Sequence, residues 1–422
     1  MTRSDVIRAG VACIDITPPA GLAMAGFGAR TEPATGTHDS LTVRAIVVND
    51  TAFVVADVIG LHEDMSRRVR ARCILPDDNV VLAALHTHGG PASMEGRAGG
   101  NADPAYLQRL EEACVEAIDR AAASAVPARL SAGMGEDPDV ARNRRHADGP
   151  LDRALPVLRI ESLAGKPIAF MVSYACHPVV LGADNRLWTA DYPHFVRAEI
   201  EAAVPGALAV FVTGCVGDAN SGHSAHASLS LASNPDRTFA RAEILGKRIA
   251  DAALAAPFFA LDGVVSALNA EQALSFARRE TLSSMELAKA WRAELPTASP
   301  MRALILHHWI GWAETIAPRP LVPWIARVSV LDWAGLPIVA LPGEIFAETS
   351  LFIRAKLDQR LAIIAGFSEG NPGYIPPASE FQFGGYEVDE AHRYYGMPAT
   401  FASGSAEALA EAATSLFPDR SV

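Results

Sequence analysis

The sequence predicts an α/β domain, a layered mixed β-sheet core flanked by helices, and three observations carry that reading. Apolar runs of strand length alternate with stretches of helical period through most of the chain, the pattern of layers in which each element buries one face. Hydrophobic residues make up 50% and charged residues 20% of 422 positions, which supplies a large core and excludes a disordered, collagen-like or disulfide-stapled chain. No internal repeat or low-complexity linker interrupts the pattern, so one domain over 1–422 is expected, although that length has room for two or three of ordinary size.

Three β-like runs open the chain at 6–16, 41–48 and 52–58, bounded by Pro, Gly, Asn or Asp, with Asn49-Asp50 as a hairpin turn. A short amphipathic helix at 65–73 precedes an apolar strand at 80–85 that empties into His86-Thr87-His88-Gly89-Gly90-Pro91. Helical periodicity marks 105–123; strands follow at 157–160 and 168–174, then a helix at 195–203 behind Asp191-Tyr192-Pro193 and a buried strand at 208–213. Further helices are expected at 237–255 and 284–294, a hairpin at 328–331 and 336–341 around Gly335, and a helix over 345–361 opened by Pro342-Gly343. An Ala-rich helix at 405–416 follows near the end. The segment 300–326 carries Trp309, Trp312 and Trp324 among prolines; it reads as a lid or a dimer contact, against ordinary packing as the default.

Charge narrows the partners. Lys and Arg number 36 against 48 Asp and Glu, a formal charge of -12, so a phosphate-tracking surface is not expected and nucleic acid is excluded as a partner class. Five cysteines lie scattered without CxxC spacing and read as reduced and buried. The N-terminal residues show no apolar core of a signal peptide or lipid anchor, and the longest apolar stretch, 168–183, is broken by Ser173, His177 and Pro178. A cytoplasmic protein without a transmembrane segment is expected, with a homodimer as the base-rate oligomer.

The chemistry concentrates in histidines. Residues two apart on an extended chain point the same way, so His86 and His88 project together from a strand's carboxyl end. His177 stands in the same context, after the strand at 168–174, and two strands ending in histidine favour a metal over surface rings. Neutral imidazoles suit zinc, and a catalytic zinc takes three or more ligands while leaving room for water. Glu344, opening a helix after Pro342-Gly343, is the candidate carboxylate; a first-turn glutamate favoured by the helix dipole is the equal alternative. Asp191 is either a partner of His177 or a helix cap, and Asp39 and Asp57 are either supports of the site or surface turns.

His86-Thr87-His88-Gly89-Gly90-Pro91, the strand-ending His177, Pro342-Gly343-Glu344 and Asn371-Pro372-Gly373-Tyr374 together resemble the neutral/alkaline non-lysosomal ceramidases and their shorter bacterial relatives. Met24 to Gly28 and His38 to Ala45 look like that family's opening, and the order of pieces matches to about Tyr395. The resemblance implies a neutral-ceramidase N-terminal type of α/β domain with one zinc per chain, held by His86, His177, Glu344 and Tyr374. It further implies that His88, Arg144 and Tyr386 surround the substrate carbonyl, with Gly26 as a backbone oxyanion donor; the twelve-residue interval from Tyr374 to Tyr386 is kept. Read without it, Arg142 to Arg145 is a solvated basic cluster and Tyr386 a packed loop aromatic.

Two departures separate this sequence from that family. A GDVSPN-like segment carries a serine near the zinc there, whereas Gly217 to Gly222 places Asn220 at the serine's position. An amide can orient substrate or water but cannot attack. Over these 422 residues the immunoglobulin-like C-terminal domain of full ceramidases is not expected. The expected activity is therefore hydrolysis of the C–N amide bond of an N-acyl compound, ceramide-like or smaller and soluble, by metal-activated water. Competing expectations are a zinc esterase or lactonase and a non-catalytic zinc-containing binding protein of the same fold.

Overall fold

The computed structural model describes residues 6–417 other than 100 and 233. Its main sheet runs, in spatial order, Leu208–Thr213, Pro167–Tyr174, Leu155–Ser162, Val126–Gly135, Arg8–Asp15, Thr42–Val48, Thr51–Ala56 and Val80–Ala84, with Phe258–Ala260 also paired to Val126–Gly135. Arg8–Asp15 pairs along its length with Thr42–Val48 but meets Val126–Gly135 only at Arg8 and Ala9. The sheet is thus two halves joined at a narrow neck.

Each half ends in a parallel pair, Thr51–Ala56 with Val80–Ala84 and Pro167–Tyr174 with Leu208–Thr213. Parallel strands are covered on both faces, which explains why Val80–Ala84 reads Val-Val-Leu-Ala-Ala and is buried throughout. Helix Pro104–Ala123 covers the first half with Tyr106, Leu110, Ala113 and Ala117, spaced to share one face, and Asp103 caps it by accepting from Tyr106 N. Helices Tyr192–Ala203 and Phe239–Leu254 pack on the second half.

A second sheet, Val265–Leu274, Trp324–Trp333, Leu336–Ala340 and Ile363–Ala365, ends in a third parallel pair. The chain leaving it stitches the sheets together: Gly366 N donates to Thr213 O (3.0 Å), Ala84 N to Phe367 O (3.0 Å) and Glu369 N to Leu82 O (2.7 Å). Three buried parallel strands therefore release their carboxyl ends into one region, where α/β folds place their ligands.

The expected hairpin at Asn49-Asp50 is present, with Asn49 at φ 54°, and all five cysteines are unpaired; Cys114, Cys176 and Cys215 are buried as expected, but Cys13 is exposed and Cys73 half-buried. Among the elements that the sequence reading omitted, three are long. Val126–Gly135 and Val265–Leu274 are strands built largely of Ala, Gly, Ser, Pro and half-exposed polar residues, so their pairing comes from neighbours rather than propensity. Within 300–326, Pro300–Thr315 is a helix capped by Ser299 and docked on helix Ser284–Glu294 through Trp291 and Trp309, whose ring centroids are 5.2 Å apart. Trp309 and Trp312 are buried there and spend their indole N–H groups on Tyr394 Oη (3.0 Å) and Met397 O (2.8 Å). Among the described residues no helix is long and apolar enough to cross a membrane.

Candidate metal centre

His86 follows the strand Val80–Ala84 by two residues and is pinned by its own N–H to Val58 O at 2.9 Å. This forces it to φ 66°, a region that costs a side chain with a Cβ about 1–3 kcal/mol and collects at functional positions. Phe367 stacks on the ring at 3.9 Å between centroids, and Nδ1–H donates to Ile59 O at 2.5 Å. His177 is held in the same manner: its N–H donates to Ala219 O at 3.0 Å and its Nδ1–H to Val216 O at 3.0 Å.

With both Nδ1 protons given to carbonyls, both Nε2 atoms carry lone pairs, and these face each other at 2.8 Å. Two lone pairs at that distance repel unless a cation lies between them. His88 Nε2 lies 3.3 Å from His86 Nε2, and Glu344 Oε2 lies 3.5 Å and 3.6 Å from the Nε2 atoms of His86 and His177. That carboxylate oxygen is fully buried and has no hydrogen-bond partner, which a polar atom in a dry interior cannot sustain cheaply. Ligand atoms of His86, His88 and His177 lie within 4.8 Å of one another. The separations of 3.3, 3.5 and 3.6 Å suit donors meeting one ion through bonds of about 2.0–2.2 Å, and a set of imidazoles with one carboxylate matches zinc chemistry. The residues fit a metal. Burial, reinforced by neighbouring rings and arginines, pushes His88 and His177 well below the ordinary imidazole range, so both stay neutral and able to donate lone pairs.

Glu344 does not open a helix as the sequence suggested. It forms a two-residue strand, Glu344–Ile345, whose parallel partner is Tyr374–Ile375, with Glu344 directly opposite Tyr374; the helix begins at Ala347. Gly343 makes the turn at φ +75°, where a Cβ would stand 2.7 Å from Gly373 O. The Pro-Gly-Glu and Asn-Pro-Gly-Tyr motifs are thus one structural unit, locked by Glu344 N donating to Gly373 O at 2.9 Å. Tyr395 donates its hydroxyl to Glu344 Oε1, a contact with no local signal in the sequence.

Tyr374 Oη accepts from Arg144 Nη2 at 2.9 Å, and the guanidinium lies over the ring at 5.5 Å. Burial drives the Tyr374 hydroxyl well above the ordinary phenol range, with Arg144 opposing. The basic cluster at 142–145 is not solvated as a whole. Arg144 and Arg145 have side chains only 6% and 8% exposed and share Glu387: Arg144 Nε donates to Oε1 at 2.9 Å and Arg145 Nη1 to Oε2 at 2.5 Å. Arg145 also reaches Glu380 Oε2 at 2.7 Å and Gly384 O at 2.7 Å, tying down the loop that presents Tyr386. Glu387→Ala leaves buried Arg144 with no carboxylate partner and Arg145 with Glu380 alone, and is expected to cost about 3–5 kcal/mol; thermal unfolding of the variant beside Glu387→Gln, which keeps the hydrogen-bond acceptor, measures it.

The remaining candidates fall as follows. Gly26, at φ +98°, lies so close to His88 that a Cβ would sit 2.4 Å from Nδ1, so any side chain there displaces the ring. Asn220 spends both carbonyl lone pairs on Gly222 N and His223 N, each at 2.8 Å, and one amide proton on His223 O; it shapes its own loop. Asp191 caps helix Tyr192–Ala203 and accepts from Val180 N and Leu181 N, while the partner of His177 is Val216 O. Asp57 is wholly buried against Arg197, and Asp39 accepts from Thr189 Oγ1 and Ala190 N, so neither is a surface turn.

Glu63 anchors the motif from outside. It accepts from Arg97 Nη1 (2.6 Å), Arg97 Nη2 (2.7 Å) and Trp324 Nε1 (3.1 Å), and Arg97 reaches Asn371 O at 3.3 Å. Burial alone would raise the Glu63 carboxyl, but bonds and charge from Arg97 outweigh it and hold it down to about 2 from its ordinary 4.5. A depressed carboxyl stabilises the fold above its unfolded value and loses that contribution as pH falls through the folded one. Wild type is therefore expected to lose about 3 kcal/mol between pH 4.5 and 2 that Glu63→Gln does not lose, measurable as the difference between their acid-unfolding curves.

A buried cluster of lone-pair donors at the carboxyl ends of parallel strands makes the molecule an α/β protein with a group of residues that could hold a metal ion. Residues 7–225 match the family model described as neutral/alkaline non-lysosomal ceramidase, N-terminal, and the chain belongs to that family. It is 26% identical to the neutral ceramidase of Drosophila melanogaster over 314 residues, 60% of this chain and 44% of that protein. To the neutral ceramidase of Pseudomonas aeruginosa it is 26% identical over 213 residues, 44% of this chain and 32% of that protein. The chain thus spans less than half the length of these curated relatives. The crystal structure of the Pseudomonas aeruginosa neutral ceramidase superposes with a TM-score of 0.75 at 18% identity, over 97% of this chain and 74% of that one, which establishes the shared fold.

Proposed function

We propose that this chain is a zinc-dependent amidohydrolase that cleaves the C–N bond of an N-acyl substrate. The observation that carries the reading is the convergence of two imidazole lone pairs at 2.8 Å beside a buried, partnerless carboxylate oxygen, in a chain of the ceramidase family. His86, His177 and Glu344 would hold the metal, with Tyr374, opposite Glu344 in the strand pair, as the fourth ligand implied by the family. Zinc in such a site polarises a carbonyl and lowers the pKa of water from 15.7 to about 7.

The chain's own residues supply the rest. His88 is the least buried of the three rings and neutral, so its Nε2 can take a proton and return it to the departing amine. Arg144 and Tyr386 offer donors to the oxygen that gains charge as the carbonyl becomes tetrahedral. Arg144 cannot be deprotonated and is oriented by Glu387, Gly217 O and Tyr374, so its charge is aimed before substrate arrives. Asn220 has no hydroxyl to attack, which leaves water as the nucleophile.

Matched amide and ester substrates test the assignment. A kcat/KM for the amide well above background supports amide hydrolysis; cleavage of the ester alone replaces it with the esterase reading.

A further inference from the structure

Beside the metal cluster lies a cavity of about 220 Å³. Its inner boundary is made by Gly26, Tyr386 and Tyr395, the residues that touch His88, approach Tyr374 at 5.7 Å between ring centroids, and bond Glu344. Its outer wall is the helix Pro300–Thr315, through Arg302, Ile305 and Trp309, and the polar groups of Ser228 and Glu390 also line the cavity. From these placements we infer that the cavity receives the acyl group of the substrate and restricts it to a compact apolar one, a single aromatic ring or a short chain. This inference rests on the amidohydrolase reading for the identity of the group as an acyl.

Size is the first argument. An engineered apolar cavity of about 150 Å³ holds one benzene, so a space half as large again accommodates roughly nine non-hydrogen atoms. A sixteen-carbon chain has nearly twice that number of atoms, so about half of it would stay in water, which forfeits the transfer free energy that a long chain would bring. Chemistry is the second. Phe27, Trp309, Tyr386 and Tyr394 contribute ring surfaces, which receive another ring edge-on or offset as well as they receive methylenes. Placement is the third: the tyrosines continue outward from Tyr386, the residue proposed to face the carbonyl oxygen, so the group attached to that carbonyl runs along them.

The wall is braced against yielding to a longer chain. The Trp309 indole donates to Tyr394 Oη at 3.0 Å, packs on Trp291 and carries the Arg393 guanidinium at 4.4 Å from its ring centroid. Tyr394 in turn stacks on His308 with rings 3° from parallel. Trp309 and Ile305 are thereby the residues that set acyl length.

The test uses zinc-loaded protein and two independent readouts. Free carboxylates (hexanoate, octanoate, phenylacetate, dodecanoate, palmitate) are titrated calorimetrically, and the matching N-acyl ethanolamines are compared by kcat/KM. Both are expected to peak at phenylacetyl or at about six to eight carbons and to fall on the order of tenfold or more by dodecanoyl. Trp309→Phe and Ile305→Ala shift the optimum to longer chains, and Ile305→Trp shifts it to shorter ones. A rise through palmitoyl in wild type, an unchanged length profile in folded variants, or no carboxylate binding at all would overturn the assignment. Amide cleavage with palmitoyl preferred removes the cavity assignment and leaves the amidohydrolase standing; carboxylate binding with the short-chain profile but no amide cleavage does the reverse.

Discussion

Glu344→Gln is expected to abolish the stabilisation that zinc gives the wild type. A ligand that binds only the folded state stabilises it by about 4 kcal/mol when present at 1,000 times its dissociation constant, so chelation should lower the wild-type melting temperature by several degrees. In the variant, the neutral amide has lost the charge that completes the site while filling the same volume, and adding or chelating zinc should move the melting temperature little. The metal-free proteins are expected to rank the other way. Without a cation, Glu344 Oε2 is a buried carboxylate oxygen with no partner, facing two lone pairs, and an amide N–H in its place satisfies them. Differential scanning of both proteins with zinc and with chelator reads both signs, and a variant equally stabilised by zinc would remove Glu344 from the ligand set.

His88→Ala is expected to keep about one zinc per chain and lose turnover. Its ring shares the cluster, so the structure alone permits it as a ligand, and the two roles separate by measurement. As a proton carrier, His88 contributes to kcat, and its loss costs on the order of 10² to 10⁴ with KM little changed. As a ligand, its loss empties the site. Gly26→Ala tests the same ring without removing it: the added methyl must displace His88, whose Nδ1 lies 2.4 Å from the Cβ position, so kcat falls while zinc content holds.

Much of this arrangement is legible in the sequence because it is local. The apolar runs that end at His86 and His177 are buried parallel strands, and both histidines stand two or three residues beyond their carboxyl ends. The helix–strand alternation recovers most elements to within a few residues. Glu344 illustrates the boundary: Pro342-Gly343 signals a turn followed by a helix, and a helix does follow, but pairing with Tyr374 first draws two residues into a strand. That pairing is tertiary, and no periodicity announces it. The same holds for Arg145 and Glu387, which lie 242 positions apart and look like a solvated cluster and a loop acid until the loop closes over them. The strands Val126–Gly135 and Val265–Leu274 lack the β-branched runs that mark a strand, because their pairing partners impose the conformation: neighbours on both sides for the first, and the ten-residue ladder with Trp324–Trp333 for the second, an edge strand. Asn220 was visible as a departure from the family pattern, but its hydrogen bonds to its own loop were not.

Zinc content by elemental analysis, in purified wild type and in His177→Ala, is the most direct test of a metal centre built on these rings. His177 Nε2 faces His86 Nε2 at 2.8 Å, so removing it deletes one of the two opposed lone pairs and should release the ion. About one zinc per chain in wild type and almost none in a folded His177→Ala is the predicted result. Zinc absent from both after reconstitution, or retained equally by both, would contradict it.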